Sequence, residues 1–594
     1  MRAHSTESQD PSPARPAARL AACLIVVALA ALCASPWASA PPAQAASQPP
    51  ARGRLGVVAS DSEAASAVGA QILSEGGNAS DAAIGVMVTL GLTNPFASGL
   101  GGGGFCLVRD AATKEVTVHD FREVAPAAAT RDMYLDPEGE PQPSLSVIGG
   151  LAVAVPGEPA GLAALQKHGR RTLAQNLAPT IALARDGYPA STLLEKRVTD
   201  QLTALTAPTT SPALAAWLLP AGAPPEAGVI LKNPALAHTL EALAAHGGEA
   251  FYTGDLAPHI VRAVTASGGV LTADDLRNYK PSVREALRGT YRGYEVITMP
   301  PPSSGGTTLL ATLAILEGFD LKAMGHNSSA AIHHTAEALK FAFADRAQFL
   351  ADPDFVPVPV ERLLSPDTAR ARRARILPNA TLSRDDYASP LPPKAPLPND
   401  DGTSHFSIID ADDNMVACTT TVNTSFGSLV FVPELGILLN NEMDDFVQKP
   451  GTPNAFGLVG SEANAIAPGK RPLSSMSPTL LLKDGQPFMV VGASGGPTII
   501  TATLQTILNV IDFGMSARAA VEAPRLHHQW VPEVLVLEPE IPADVADNLK
   551  AKGHTIKLMP AFSAAQVVVS APPFRFAASD PRKHGVPATQ RPSP

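Results

Sequence analysis

At residue 402 the chain changes character. Residues 376–402 are crowded with Pro, Asp and Asn, follow neither a helical nor a strand period, and end at Asp401-Gly402. Directly after them, 404–410 and 415–422 alternate in the manner of paired strands, with Asp412-Asp413-Asn414 as the turn. Further strands are expected at 429–440, 478–483 and 487–492, then a helix from Pro497. Ahead of residue 376 the pattern is mainly helical. Residues 61–73 place Ala64, Val68 and Ile72 on one face, Gly76-Gly77 stops that helix, and Ser80 is placed to cap the next, which runs toward Asn94-Pro95. Ala- and Leu-rich helices follow between 157 and 320, and another at 329–350. The fold must join a helix-rich first part to a strand-rich second part across a flexible tether. At 594 residues the chain is too long for one simple core. About two to four packing units, or one large layered α/β unit, meet that requirement.

Composition narrows the class. With 45% hydrophobic and 17% charged residues the chain is globular. A formal net charge of -10 argues against a nucleic-acid surface, which needs clustered Lys and Arg. Residues 1–45 read as a signal peptide. Arg15 and Arg19 precede an apolar stretch from Leu20 to Leu32, too short for a comfortable span, and Ala43-Gln44-Ala45 has the form of a cleavage site. The expected destination is outside the cytoplasm, in the periplasm. The long leading region with Glu7 and Asp10 leaves an uncleaved anchor as the alternative. Cys23 and Cys33 would leave with the signal. Cys106 and Cys418 lie in apolar strand-like runs and read as two buried thiols, with nothing requiring a disulfide.

Several motifs compete for the chemistry. Gly99-Leu100-Gly101-Gly102-Gly103-Gly104 fits the dinucleotide pattern literally, but a helix precedes it and a strand follows, the inverse of what a pyrophosphate site needs. A glycine loop at a close backbone approach is the better reading. Gly492-Ala493-Ser494-Gly495-Gly496 lies between a strand and a helix, as a nucleophile elbow does, and Asp512, Glu522, His527 and His528 follow in triad order. The same Gly-Gly turn equally suits an oxyanion hole for another nucleophile. The pairs His333-His334 and His527-His528 suggest metal only weakly, because adjacent side chains diverge, and structural or surface roles are expected for all four. Thr403 is the remaining candidate. Cleavage between Gly402 and Thr403 would turn an amide nitrogen into an α-amine, with a pKa of roughly 7.7–8.0, able to take the proton of its own hydroxyl. Gly402 offers no side chain to hinder attack on its carbonyl. By itself, a threonine after a loop is ordinarily structural.

The surrounding words decide between these candidates. Thr403-Ser404-His405-Phe406-Ser407, Thr421-Val422-Asn423-Thr424-Ser425-Phe426-Gly427, 436–446 (Gly-Ile-Leu-Leu-Asn-Asn-Glu-Met-Asp-Asp-Phe), 471–478 and Gly495-Gly496 resemble the small subunit of γ-glutamyltransferases. Leu100 to Phe105, Asp120-Phe121-Arg122-Glu123 and 299–306 resemble the large subunit, and the resemblance runs in order from about residue 55 to 582. It implies an α/β (α+β) fold, the four-layer αββα sandwich of N-terminal nucleophile hydrolases. It also implies self-cleavage into a large subunit, 46–402, and a small subunit, 403–594, that form a heterodimer sharing one core.

The resemblance assigns roles position by position. Thr403 matches the nucleophile, Thr421 its hydrogen-bonding threonine, and Gly495 and Gly496 the oxyanion hole, which turns Ser494 away from the elbow reading. Arg122, Ser474 and Ser475 match the residues that hold the substrate α-carboxylate; Asn423, Glu442 and Asp445 match those that hold its α-ammonium. The implied substrates are glutathione and other γ-glutamyl compounds, with water, amino acids or peptides as acceptors, and no metal or organic cofactor is implied. A zwitterion needs both signs at fixed spacing, which a two-pronged Arg and a pair of acids supply. In isolation each residue has a plainer reading: Arg122 paired with Glu123 or Asp120 at the surface, Glu442 and Asp445 as solvated turn residues, the serines as caps. The rival activity is a related acylase of the cephalosporin acylase kind. Two positions depart from the family: Phe456 stands where some members carry a lid tyrosine, and Glu442 replaces the glutamine of some bacterial members.

Overall fold

A computed structural model describes residues 50–207, 210–388 and 402–592. The expected signal peptide, Cys23 and Cys33, and residues 389–401 of the expected tether lie outside the described residues. Among the described residues no helix is long and apolar enough to cross a membrane.

Among the described residues the two largest sheets are antiparallel and seven-stranded. One runs in the spatial order Ala51–Gly53, Phe574–Ser579, Ala564–Ala571, Gln486–Ser494, Thr479–Lys483, Tyr294–Thr298, Leu287–Tyr291. The other runs Ala588–Thr589, Val57–Ser60, Ser404–Ile409, Met415–Thr421, Gly103–Arg109, Val116–Phe121, Ser282–Arg284. Each sheet has one face on the other and one on helices. Glu63–Ser74, Ala79–Thr93 and Glu158–Gln166 cover the second sheet; Gly305–Leu316 and Thr498–Ile511 cover the first, with Ser329–Phe349 packed on Gly305–Leu316. The four expected layers are therefore present.

Alternation in Ser404–Ile409 explains how these layers are chosen. Phe406 and Ile408 enter the apolar core shared with the helices at 63–93. His405 and Ser407 point between the sheets: His405 Nδ1 lies 2.8 Å from Thr419 Oγ1, and Ser407 Oγ donates to the Gln566 carbonyl at 2.9 Å. The His405 ring covers Gly492, where a Cβ would meet it at 2.2 Å. Burial alone depresses this imidazole to about 3, so it stays neutral as a hydrogen-bonding spacer.

Some expectations are corrected. The cap of Ala79–Thr93 is Asn78 rather than Ser80; Asn78 Oδ1 accepts from the amides of Ser80 and Asp81, and Asp81 Oδ2 accepts from the Asn78 amide. The strand expected at 429–440 is a small hairpin, Phe431–Val432 with Ile437–Leu438. Cys106 and Cys418 are not separate thiols. They lie directly opposite on neighbouring strands with Cα atoms 4.2 Å apart, joined by a disulfide.

Candidate active site

Thr403 heads the strand Ser404–Ile409, and Thr421 ends the neighbouring strand. The register pairs Ser404 with Thr420, so the two hydroxyls meet one step beyond the ladder, Oγ1 to Oγ1 at 2.9 Å. Thr421 Oγ1 also accepts from the Asn423 amide at 2.8 Å, which leaves its own proton available to Thr403. The amides of Thr403 and Val422 both donate to the Ala97 carbonyl, at 3.0 and 3.1 Å, and tie the two strand ends together. The glycine loop makes the close backbone approach expected of it. A Cβ at Gly102 would lie 1.9 Å from the Thr421 carbonyl oxygen and one at Gly101 1.9 Å from that of Leu438, so only glycines let this loop back the strand end that carries Thr421.

The junction before Thr403 is strained. Gly402 has φ +82, and a Cβ there would lie 2.1 Å from the Asn423 carbonyl oxygen, so the position admits only glycine. Thr403 itself has φ +64, a conformation that costs a β-branched residue about 1–3 kcal/mol.

Thr403 opens on a pocket whose walls include Arg122, Thr421, Asn423, Glu442, Asp445, Ser474, Ser475 and Gly496. Of the ten expected site residues only Gly495 is not on that wall; it lies one position earlier, at the end of Gln486–Ser494. Arg122 is wholly buried, so the surface-pair reading fails. Its Nη1 pairs with Glu442, its Nη2 with Asp445 Oδ2 at 2.5 Å, and its Nε donates to the Pro472 carbonyl at 3.1 Å. Glu123 adds a third carboxylate at 3.7 Å. Burial pushes Glu442 and Asp445 above the usual carboxylate range, against the pull of Arg122, and raises Glu123 to about 8. Ser474 is fixed through its amide to the Pro302 carbonyl at 2.9 Å, and its Oγ accepts from the Met476 amide at 3.1 Å, which leaves a hydroxyl proton to offer the pocket. Ser475 is buried beside it.

Ser494 is excluded as a nucleophile by its direction. Its hydroxyl donates to the Ala564 carbonyl at 3.3 Å within the sheet, and it is absent from the pocket wall. His527 binds Thr501 and Gln529 instead. Phe456 covers Gly496, where a Cβ would meet the ring at 2.6 Å. Its loop is moored by Ala455 N to Asp444 Oδ2 at 2.9 Å and by Asn454 Nδ2 to Asp445 Oδ1 at 3.1 Å, so a carboxylate pair holds both the pocket and its cover.

Among the described residues one group has metal-ligand character: His333, Glu337 and His554, with ligand atoms within 4.8 Å of one another. Their lone pairs are taken up otherwise. His333 Nδ1 bonds His554 at 2.7 Å and Nε2 donates to the Leu377 carbonyl, while Glu337 accepts from Lys340, Thr381 and Tyr387. Lys340's ammonium would also repel a cation here. The four paired histidines are buried structural groups.

Sequence reasoning missed two contributors. The Ala97 carbonyl carries no sequence signal. Lys583, whose Nζ donates to the carbonyls of Gly402 at 3.2 Å and Thr403 at 3.0 Å, falls one residue past the end of the resemblance.

Two stacked antiparallel sheets between helices, with a buried threonine heading a central strand, define an N-terminal nucleophile hydrolase. Comparison with known proteins is more specific. The model of the gamma-glutamyltranspeptidase family matches residues 65–590. The glutathione hydrolase proenzyme of Escherichia coli (strain K12) is 42% identical over 536 residues, spanning 90% of this chain and 91% of that protein. Among solved structures, cephalosporin acylase from Bacillus halodurans superposes with a TM-score of 0.79 at 29% identity, covering 93% of this chain and 99% of its own. A chain of Helicobacter pylori gamma-glutamyltranspeptidase does so with a TM-score of 0.52 at 36% identity, covering 54% of this chain and 91% of its own. The chain belongs to the gamma-glutamyltranspeptidase family.

Proposed function

We propose that the chain cuts itself between Gly402 and Thr403, and that the freed Thr403 then moves γ-glutamyl groups from glutathione and related amides to water or to an amino acid or peptide. The observation that carries this reading is one pocket in which the Thr403 hydroxyl, bonded to Thr421, shares walls with a buried guanidinium flanked by two carboxylates. The strained Gly402–Thr403 junction supports the cut, since the φ angle of Thr403 ceases to exist once that bond is broken. The relative's name, glutathione hydrolase proenzyme, and the solved family chain that spans about half of this one support a two-piece mature enzyme.

In turnover the free α-amine of Thr403 takes the proton of its own hydroxyl, and Oγ1 bonds to the γ-carbonyl carbon. The carbonyl electrons move to oxygen, to which the amides of Gly495 and Gly496 donate hydrogen bonds. The C–N bond breaks, the amine's proton passes to the leaving nitrogen, and a γ-glutamyl ester remains on Thr403. Water or an acceptor amine attacks that ester and returns the proton to Oγ1. Arg122, Ser474 and Ser475 hold the substrate α-carboxylate; Asn423, Glu442 and Asp445 hold its α-ammonium. The raised carboxyl groups suit this task, because an incoming ammonium restores their charge in a site where burial disfavours it.

The acylase reading is favoured only by the closeness of the cephalosporin acylase fold. A glutaryl group has the carboxylate but no ammonium, and it would leave Glu442 and Asp445 without a cation of their own. Faster hydrolysis of a glutaryl amide than of the matching γ-glutamyl amide would reject the glutamyl assignment. For the cut, N-terminal sequencing of the small fragment is expected to begin at Thr403, and Thr403→Ala to leave the chain whole and inactive. We extend the reading to export, supported by the sequence of 1–45 and by a disulfide that suits an oxidising compartment; recovery of activity in a cytosolic rather than a periplasmic fraction would overturn that part.

A further inference from the structure

We infer that Lys583 is a catalytic residue of self-cleavage: its ammonium donates to the Gly402 carbonyl oxygen and stabilises the negative charge that forms there when the Thr403 hydroxyl attacks. This rests on the cut proposed above and adds the group that makes it possible. Gly495 and Gly496 are assigned to the oxyanion of an incoming substrate, whereas in self-cleavage the reacting carbonyl belongs to the chain itself. Lys583 straddles that peptide, 3.2 Å from the carbonyl oxygen of Gly402 and 3.0 Å from that of Thr403, and is buried. Shielded from water, a positive charge at a reacting oxygen counts for far more than at the surface.

The placement is built rather than incidental. Lys583 closes a single turn, Pro581–Lys583, behind Asp580. Asp580 Oδ1 accepts from the Arg582 amide at 3.0 Å; its Oδ2 accepts from the Ala565 amide at 2.9 Å and from Arg525 Nη2 at 2.5 Å. Arg582 is gripped in turn by Glu538 at 2.6 Å. The buried Arg525, the partly buried Arg582 and a strand amide therefore fix the turn that presents the lysine, before the cut is made.

The step balances as follows. Thr403 Oγ1 bonds to the Gly402 carbonyl carbon, and the carbonyl π electrons move to the oxygen beside Lys583. The Gly402–Thr403 C–N bond then breaks as the carbonyl re-forms, and the threonine nitrogen keeps the electron pair and takes the hydroxyl proton. The resulting Gly402 ester on Thr403 is hydrolysed, with water giving OH to the Gly402 acyl group and H to Oγ1.

Lys583→Met and Lys583→Gln chains, pulse-labelled in a cell-free system, are followed on reducing denaturing gels beside the wild type. Both are expected to convert at least about 100-fold more slowly, in the range of an oxyanion donor's removal. Folding is checked independently by the melting temperatures of the same substitutions in uncut Thr403→Ala chains. Conversion within threefold of the wild-type rate, in whichever variant keeps its melting temperature, overturns the inference. A wild-type chain that never cuts, or that cuts elsewhere, sinks the parent reading instead.

Discussion

Thr421 joins the two halves of the proposed catalytic device, since its single oxygen accepts from Asn423 and meets the Thr403 hydroxyl. Thr421→Val keeps the shape and removes both bonds. Its kcat on γ-glutamyl-p-nitroanilide is expected to fall about 100-fold with a smaller change in KM, because the hydroxyl orients the nucleophile and does not touch the glutamyl zwitterion. Arg122 should show the opposite balance. Arg122→Lys keeps one charge among three carboxylates but loses the fork that reaches Glu442, Asp445 and the Pro472 carbonyl together. KM is expected to rise at least about tenfold, more than kcat falls; an unchanged KM would detach Arg122 from substrate binding. These residues were legible in the sequence because each sits in a dense local word. What could not be read was how they pair. Arg122 and Glu442 are 320 positions apart, and nothing in either word says that the guanidinium lies on the two acids before any ammonium arrives. Lys583 was invisible for a simpler reason: a lone lysine near a chain end has no pattern.

The strand Met415–Thr421 shows what the element scale adds. Its alternation announced a strand, but three consecutive threonines are given three different partners by the layers around them: Thr419 bonds His405 between the sheets, Thr420 bonds Glu158 on the helix side, and Thr421 bonds Thr403 at the tip. Glu158 opens the helix Glu158–Gln166 and is completely buried. Desolvation lifts its carboxyl to about 8, against the hydrogen bond from Thr420. A folded-state value above the unfolded one, near 4.5, means that the neutral form contributes stability in full below about pH 4.5 and that this contribution is lost as pH rises toward 8. Glu158→Gln never acquires the charge. Its melting temperature relative to wild type is therefore expected to climb steadily from pH 5 to pH 8. A difference that stays flat across that window would show the carboxyl to be ionised throughout. Glu123, raised for the same reason, remains in the variant, so only part of the wild-type slope should vanish.

At the scale of the whole molecule, the proposed cut at 402 does not separate domains. Among the described residues, seven of the fourteen strands of the two large sheets come from before Thr403 and seven from after it, and in each of these sheets the two groups alternate in blocks, so neither piece closes either sheet alone. The change of pattern at 402 in the sequence says nothing of this interleaving, because strand order is set by pairing between distant segments. The disulfide is a direct consequence of that order. Met415–Thr421 lies beside Gly103–Arg109 in a register that sets Cys418 opposite Cys106, residues 312 positions apart and on opposite sides of the proposed cut. The mature pieces should then be covalently joined. A denaturing gel without reductant is expected to show one band at the size of the two together, and the same sample with reductant to show two. A fully processed preparation would look uncut if reductant were omitted, so the two lanes must be read as a pair. In a Cys106→Ala/Cys418→Ala chain the pieces are expected to separate on both gels yet to stay together in gel filtration, held by the shared sheets. Its stability should drop by about 2–5 kcal/mol, the usual loss with a native disulfide. Two bands without reductant from the unmodified protein would mean that the cysteines remain thiols, and the pairing of the central strands alone would then have to hold the halves together.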